Sequence, residues 1–235
     1  MEALSNALQP HKDMVGQVAS VVTIAQFFSG AFVCKDIHKK GTTKGTAATP
    51  FIGGVVIGLL MLRLGLLMND AAMIQVNVAA VFLNILYTAF YYVYSSDKYE
   101  EVLKPLGIGS TIAAVILGYA QLENPENLEF RYGLITTVLM LLLLGAPFIR
   151  SASSVPICAY DFKEIIDKKD ASSIPFPLTF MGTIVTFLWL IYGIILLNYF
   201  MIFQNVIAFI LCLIQLVLLI LYPGPAGQNK KEKDL

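Results

Sequence analysis

Apolar residues run through this chain in blocks too long for the helices of a soluble protein, and short polar clusters cut the blocks apart. The stretch from Ala171 to Asn229 holds no Asp, Glu, Lys or Arg. A membrane-crossing helix needs ~20 mostly apolar residues, so this stretch predicts two spans, Ile174–Leu197 and Phe200–Tyr222, folded back at Asn198-Tyr199. Pro175 stands at the start of the first and Pro223 just past the end of the second. The same reading upstream gives Met14–Cys34, Ala47–Met68, Ala71–Ser95, Pro105–Leu122 and Tyr132–Ile149, for seven spans in all. The very short turns Asn69-Asp70 and Asn198-Tyr199 make spans two and three, and six and seven, antiparallel neighbours.

Composition agrees with this pattern. The chain is 57% hydrophobic and 14% charged, against about 25% charged for soluble domains, which predicts an all-α membrane protein. Formal charge is zero. The cations are scattered through short loops, which argues against a nucleic-acid surface. Met1–Asp13 lacks the basic region, short apolar core and cleavage site of a signal peptide, so the first span is expected to act as its own insertion signal. Cys34, Cys158 and Cys212 are widely spaced and lie in or beside apolar segments, which favours small packed side chains over a disulfide framework or metal site.

Charge also sets orientation, because Lys and Arg favour cytoplasmic loops. With the amino terminus outside, the inner segments hold thirteen of the sixteen cations, from Lys35 to Lys233. The outer ones hold Lys12 and Arg131. Arg63 lies inside the second span near its outer end, where a long side chain can extend to the interface.

An internal repeat organises these spans. Shifted by 128 residues, Gly65 falls on Gly193, Met73 on Met201, Ile74 on Ile202, Asn77 on Asn205, Val78 on Val206, Ala80 on Ala208, Leu83 on Leu211 and Tyr94 on Tyr222. Upstream, Pro50-Phe51 falls on Pro175-Phe176 at a shift of 125. Spans one to three and five to seven therefore form two three-helix repeats, and span four is a linker helix that returns the chain to its starting side. Both repeats then point the same way, a plan known in transporters whose site lies at the repeat interface. The expected organisation is a first repeat over 1–95, a linker over 96–131, a second repeat over 132–222 and a cytoplasmic tail over 223–235.

The segments Gln26-Phe27-Phe28-Ser29-Gly30, Pro50-Phe51, Pro175-Phe176-Pro177 and Trp189-Leu190-Ile191-Tyr192-Gly193, with Gly65, Asn77, Pro147 and Asn205, resemble the SWEET family of sugar transporters in its animal-type form. The resemblance covers nearly the whole chain. It implies that Asn77, Asn205 and Trp189 line a sugar pocket, with Gly58 a weaker candidate, and that Pro50, Pro147 and Pro175 act as hinges of the gate. It also implies a small-molecule sugar as substrate, glucose-like hexose first, the lipid bilayer as environment, a tendency to self-associate into homo-oligomers and no cofactor. Plasma membrane is the expected location, with the Golgi second.

The chemistry of these residues fits that role. An amide offers donors and an acceptor without charge, so it can meet a sugar hydroxyl without the desolvation cost of an ion. An aromatic face suits the C–H face of a sugar ring. At ~1.5 Å per residue both asparagines lie about 10 Å below the outer turns, with Trp189 a little deeper. The bland alternative is that the asparagines only join helices, that Trp189 only packs, and that Gly58 only permits close helix approach.

Two departures stand out. Met61-Leu62-Arg63-Leu64-Gly65 replaces the aromatic-rich motif usual in the family, so the pocket is expected to be asymmetric. Arg150–Tyr160 reads as an insertion between Pro147 and Pro175, Ser-rich and loop-like. The insertion keeps a non-transporting membrane interaction protein among the readings. A related lysosomal-type amino-acid exporter is another, although the chain has no Pro-Gln dipeptide. A receptor lacks its Asp-Arg-Tyr signature here, a retinal protein would want a Lys in Phe200–Tyr222, and no Ser, His and acid grouping supports an enzyme. Every Asp and Glu falls outside the seven spans, which points to facilitated diffusion rather than proton coupling.

Overall fold

The computed structural model describes residues 1–145, 165–167, 169–171, 174 and 176–223. Its elements are α1 (Glu2–Leu8), a 3₁₀ turn at Gln9–His11, α2 (Lys12–Phe27), α3 (Ser29–Lys40), α4 (Thr49–Leu67), α5 (Ala71–Tyr94), a π turn at Tyr99–Leu103, α6 (Lys104–Leu122), α7 (Pro125–Gly145), α8 (Phe176–Leu196) and α9 (Tyr199–Leu221). No strand occurs among the described residues. Among the described residues, six helical stretches are long and apolar enough to cross a bilayer: Glu2–Lys40, Thr49–Leu67, Ala71–Tyr94, Tyr99–Leu122, Phe176–Leu196 and Tyr199–Leu221. The apolar part of α7 begins at Tyr132 and runs to the edge of the described residues. Pro147, Cys158, Pro175 and the insertion Arg150–Tyr160 lie outside them.

The chain forms two compact units, Gly16–Val138 and Met1–Val15 with Leu139–Leu235. In the first, α4 and α5 form an antiparallel hairpin whose approach depends on glycine. A Cβ at Gly65 would meet Met73 at 3.0 Å, at Gly58 Val81 at 2.8 Å, and at Gly54 the amide of Asn84 at 2.5 Å. The linker helix α6 packs on α4, where Gly109 faces Val56.

The first expected span, Met14–Cys34, differs in the structure. It is broken at Phe28 and continues to Lys40. At the break the Phe28 and Ala31 amides bond three residues back, and the Tyr87 hydroxyl donates to the Phe27 carbonyl at 3.2 Å. That satisfies a carbonyl that the bilayer could not. The Tyr87 ring fits because residue 30 is glycine, where a Cβ would lie 2.4 Å from it. The sequence shows no proline at this point, so hydropathy alone runs straight through the break. α3 ends on Gly41 in the left-handed region, at φ 65°, a conformation glycine adopts freely.

The Lys-rich end of this unit is closed twice over. Cys34, Ile37, Ala48, Phe51, Ile52, Tyr87, Tyr91 and Val102 form a buried apolar cluster. Beside it, one carboxylate oxygen, Oε2 of Glu101, accepts from Ser95 at 2.7 Å, Thr43 at 3.0 Å and Tyr91 at 3.2 Å. The Tyr91 hydroxyl also reaches the Thr46 carbonyl, at 2.8 Å. A single acid thus holds the α3–α4 loop, the end of α5 and the turn that opens the linker. Arg63 is half-buried, and its Nε is enclosed without a hydrogen-bond partner. Tyr132, fully buried, donates to the Leu60 carbonyl at 3.0 Å.

In the second unit, α8 and α9 form the matching hairpin. The amino-terminal helix docks on it: Ser5 Oγ and Gln9 Nε2 both donate to the Ile195 carbonyl, at 2.9 and 2.8 Å. That carbonyl lies in the last turn of α8, where intrahelical partners run out. At the other end, the Ala171 amide donates to the Tyr222 carbonyl at 3.0 Å, beside the small apolar cluster of Ile165, Ala171 and Leu218.

Glu101 gives a test: it lies in the turn Tyr99–Leu103, at the polar end of the Tyr99–Leu122 stretch and before α6. Hydrogen bonds from Ser95 first, then Thr43 and Tyr91, hold its carboxyl below the ordinary value of 4.5. A depressed carboxyl contributes stability that is complete above the unfolded value and lost as pH falls through the folded one. Glu101→Ala should lower the unfolding free energy in detergent by about 1–3 kcal/mol at neutral pH, the cost of stranding buried donors. The difference from the unaltered chain should shrink as pH drops below 4.5. Equal melting temperatures at neutral pH would remove Glu101 from its role as a clamp.

Candidate functional site

Both hairpin turns are built alike. Asp70 caps α5 by accepting from the Met73 amide at 2.9 Å, and Asn198 caps α9 by accepting from the Met201 amide at 2.9 Å. A side-chain oxygen at this position satisfies one of the open amides of a helix start. The residue before each cap, Asn69 and Leu197, has positive φ, 51° and 53°. Behind the turns the Asp70 and Asn198 amides close onto the Gly65 and Gly193 carbonyls, at 2.9 and 3.0 Å. Gly193 faces Met201 and Ile202 as Gly65 faces Met73 and Ile74.

This register places the candidate residues. In sequence, Trp189 and Met61 stand four residues before Gly193 and Gly65, and Asn205 and Asn77 four residues after the Met201 and Met73 that those glycines face. The two asparagines are held identically: Asn77 Nδ2 donates to the Met73 carbonyl and Asn205 Nδ2 to the Met201 carbonyl, both at 2.8 Å. Each is half-buried, and among the described residues neither Oδ1 has a hydrogen-bond partner. One N–H is spent on the helix itself, and the acceptor oxygen and second N–H remain for a ligand hydroxyl. Trp189, also half-buried, packs edge-on against Tyr192, with centroids 5.7 Å apart and planes at 82°.

The other sequence candidates stand elsewhere. Gly58 is buried where α4 meets α5, its Cα facing Val81 and Ala80, a position that supports close helix approach. Pro50 lies in the first turn of α4, where its missing N–H costs nothing. Phe51 beside it packs on Tyr87 with centroids 5.5 Å apart. Pro147 and Pro175 are outside the described residues. Among those residues, no three His, Cys, Asp or Glu side chains converge as metal ligands would. On the outer loop, Glu123 accepts from Tyr119 and from Arg131, the latter at 3.0 Å. Tyr119 first and then Arg131 hold its carboxyl below the usual range.

Comparison with known proteins places this geometry. The family described as sugar efflux transporter for intercellular exchange (MtN3_slv) matches residues 13–99 and 149–226. The chain belongs to that family. Sugar transporter SWEET1 of Drosophila pseudoobscura is 27% identical over 93% of this chain and 94% of its own length. Sugar transporter SWEET1 of Caenorhabditis elegans is 29% identical over 95% and 76%. Bidirectional sugar transporter SWEET12 of Oryza sativa is 22% identical over 90% and 68%. A eukaryotic SWEET transporter solved at 3.7 Å resolution superposes with a TM-score of 0.78 at 17% identity, covering 92% of this chain and 98% of its own. That likeness carries the fold: an all-α multi-pass membrane protein with two parallel three-helix repeats and a linker helix. The family is one of transporters, not enzymes.

Sequence reasoning found the paired asparagines through the repeat and missed Asn84, which is half-buried and bonded in the same manner to the Ala80 carbonyl at 2.8 Å. Its spacing of seven from Asn77, two helical turns along one face, was the available signal. Gly58→Ala gives a check on the packing. A Cβ 2.8 Å from the stiff Val81 side chain should cost about 1–3 kcal/mol of stability as overpacking. A thermal-shift measurement that shows no loss would return Gly58 to the pocket lining.

Proposed function

We propose that this member of the sugar-transporter family is a facilitative, bidirectional uniporter for a glucose-like hexose. Asn77, Asn205 and Trp189 are proposed as its sugar-contacting residues, with Gly58 a weaker candidate. The observation that carries the reading is the identical bonding of the two asparagines in duplicated hairpins, each with an acceptor oxygen left over. A residue that served only to join helices would spend that oxygen on a neighbouring helix. Pro50 is proposed as one hinge of the inner gate, with Pro147 and Pro175 as the others. The bias of Lys and Arg favours an outward amino terminus. Plasma membrane is the proposed location, ahead of the Golgi, and homo-oligomers are compatible with a path inside one chain.

Asn205→Ala is expected to remove most sugar uptake at matched surface level, because a lost hydroxyl contact costs about 1–3 kcal/mol, or roughly tenfold to more than a hundredfold in binding. Asn77→Ala should do nearly the same. Near-normal uptake in both single mutants would overturn the pocket assignment.

The seven apolar segments read from the sequence, Pro105–Leu122 among them, hold no Asp or Glu, which gives a second test. In proteoliposomes with equal sugar on both sides and an imposed pH or Na⁺ gradient, labelled sugar should exchange without net accumulation. Accumulation above the equal level would show coupling and sink the uniporter reading.

A further inference from the structure

We infer that Asn84 is a second sugar-contacting residue, placed about 10 Å further along α5 from Asn77 toward the Lys-rich end. The inference rests on the transport reading above and extends it from a single pocket layer to a path with two.

Asn77 and Asn84 are seven residues apart, so they project from the same face of α5. Both use Nδ2 on the carbonyl four residues back, at 2.8 Å, which fixes the amide's orientation, because only the nitrogen side can donate. Asn84 Oδ1 has no hydrogen-bond partner among the described residues. The opposing residue on α4 is Gly54, whose Cα lies so close that a Cβ would sit 2.5–2.7 Å from the amide atoms. Gly54 presents no side-chain donor, so the amide is not a hydrogen-bonded bridge between the helices. The cost of a half-buried polar group in an apolar layer is therefore not offset by helix joining. A hydroxyl-rich solute moving along this face would meet the acceptor.

The second unit differs at this level. Shifted by 128, Asn84 falls on Cys212, which lies against Thr183, and a thiol is a weak hydrogen-bonding group. Asn77 thus has an amide counterpart in the second repeat, Asn205, whereas Asn84 has none.

The test is a pairing between residue and substrate hydroxyl. Cells expressing the full chain take up labelled D-glucose in competition with D-glucose and its 2-, 3-, 4- and 6-deoxy analogues. In Asn84→Leu, matched for surface level, the penalty for losing one particular hydroxyl should fall about tenfold, because its partner is already gone. The penalties at the other positions should keep their unaltered values. Asn77→Ala should erase the penalty at a different hydroxyl. Asn84→Cys, which copies the second repeat, should behave as Asn84→Leu does and serves if the Leu variant fails to reach the surface. Unchanged penalties throughout, a uniform weakening of every analogue, or failure of both variants to reach the surface would assign Asn84 to packing and overturn the inference alone. Absence of glucose uptake by the unaltered chain would overturn the hexose reading and this inference with it.

Discussion

A polar side chain inside a bilayer has no water to bond with, and most polar side chains of these spans solve the problem on their own helix. Ser20, Thr23, Asn77, Asn84, Thr88, Thr111, Thr136, Thr137, Thr183, Thr186 and Asn205 each donate to a carbonyl four residues back. A hydroxyl has one proton and is then spent as a donor. An amide has a second N–H and an acceptor left over. The same constraint that makes polar residues tolerable in the membrane therefore leaves them unequal: a hydroxyl keeps only acceptor capacity, while an asparagine keeps both a donor and an acceptor.

The duplicated hairpins show what is held constant around those amides. Cap, positive-φ residue, close glycine contact and asparagine recur at one spacing, because together they fix depth and direction of the amide. The face opposite is free to change. Trp189 answers to Met61 and Tyr192 to Leu64, so one half presents rings and the other flexible or branched apolar chains.

Hydropathy carried the fold a long way, since length and absence of charge are what a bilayer reads. The hairpin turns were legible because Asp70 and Asn198 combine polarity with capping chemistry, and the asparagines because the repeat aligned them. Three features were not. The break at Phe28 depends on the Tyr87 hydroxyl, sixty residues away in sequence, with no proline to announce it. The Glu101 clamp gathers hydroxyls from two other segments, none unusual in its own neighbourhood. Gly58 reads equally well as pocket wall or helix contact until the partner, Val81, is known. In each case the deciding atom lies on another element, and no local pattern contains it.

The docking of the amino-terminal helix has a consequence for how the protein is made. Ser5 and Ile195 are 190 residues apart, so the carbonyl that receives α1 does not exist until nearly the whole chain has been synthesised. Closing a loop over such a separation is slow. The contact of α1 with the Ile195 carbonyl can therefore form only once α8 is present. The first residues of the chain are thus tied to its last hairpin by contacts that no shorter fragment could make.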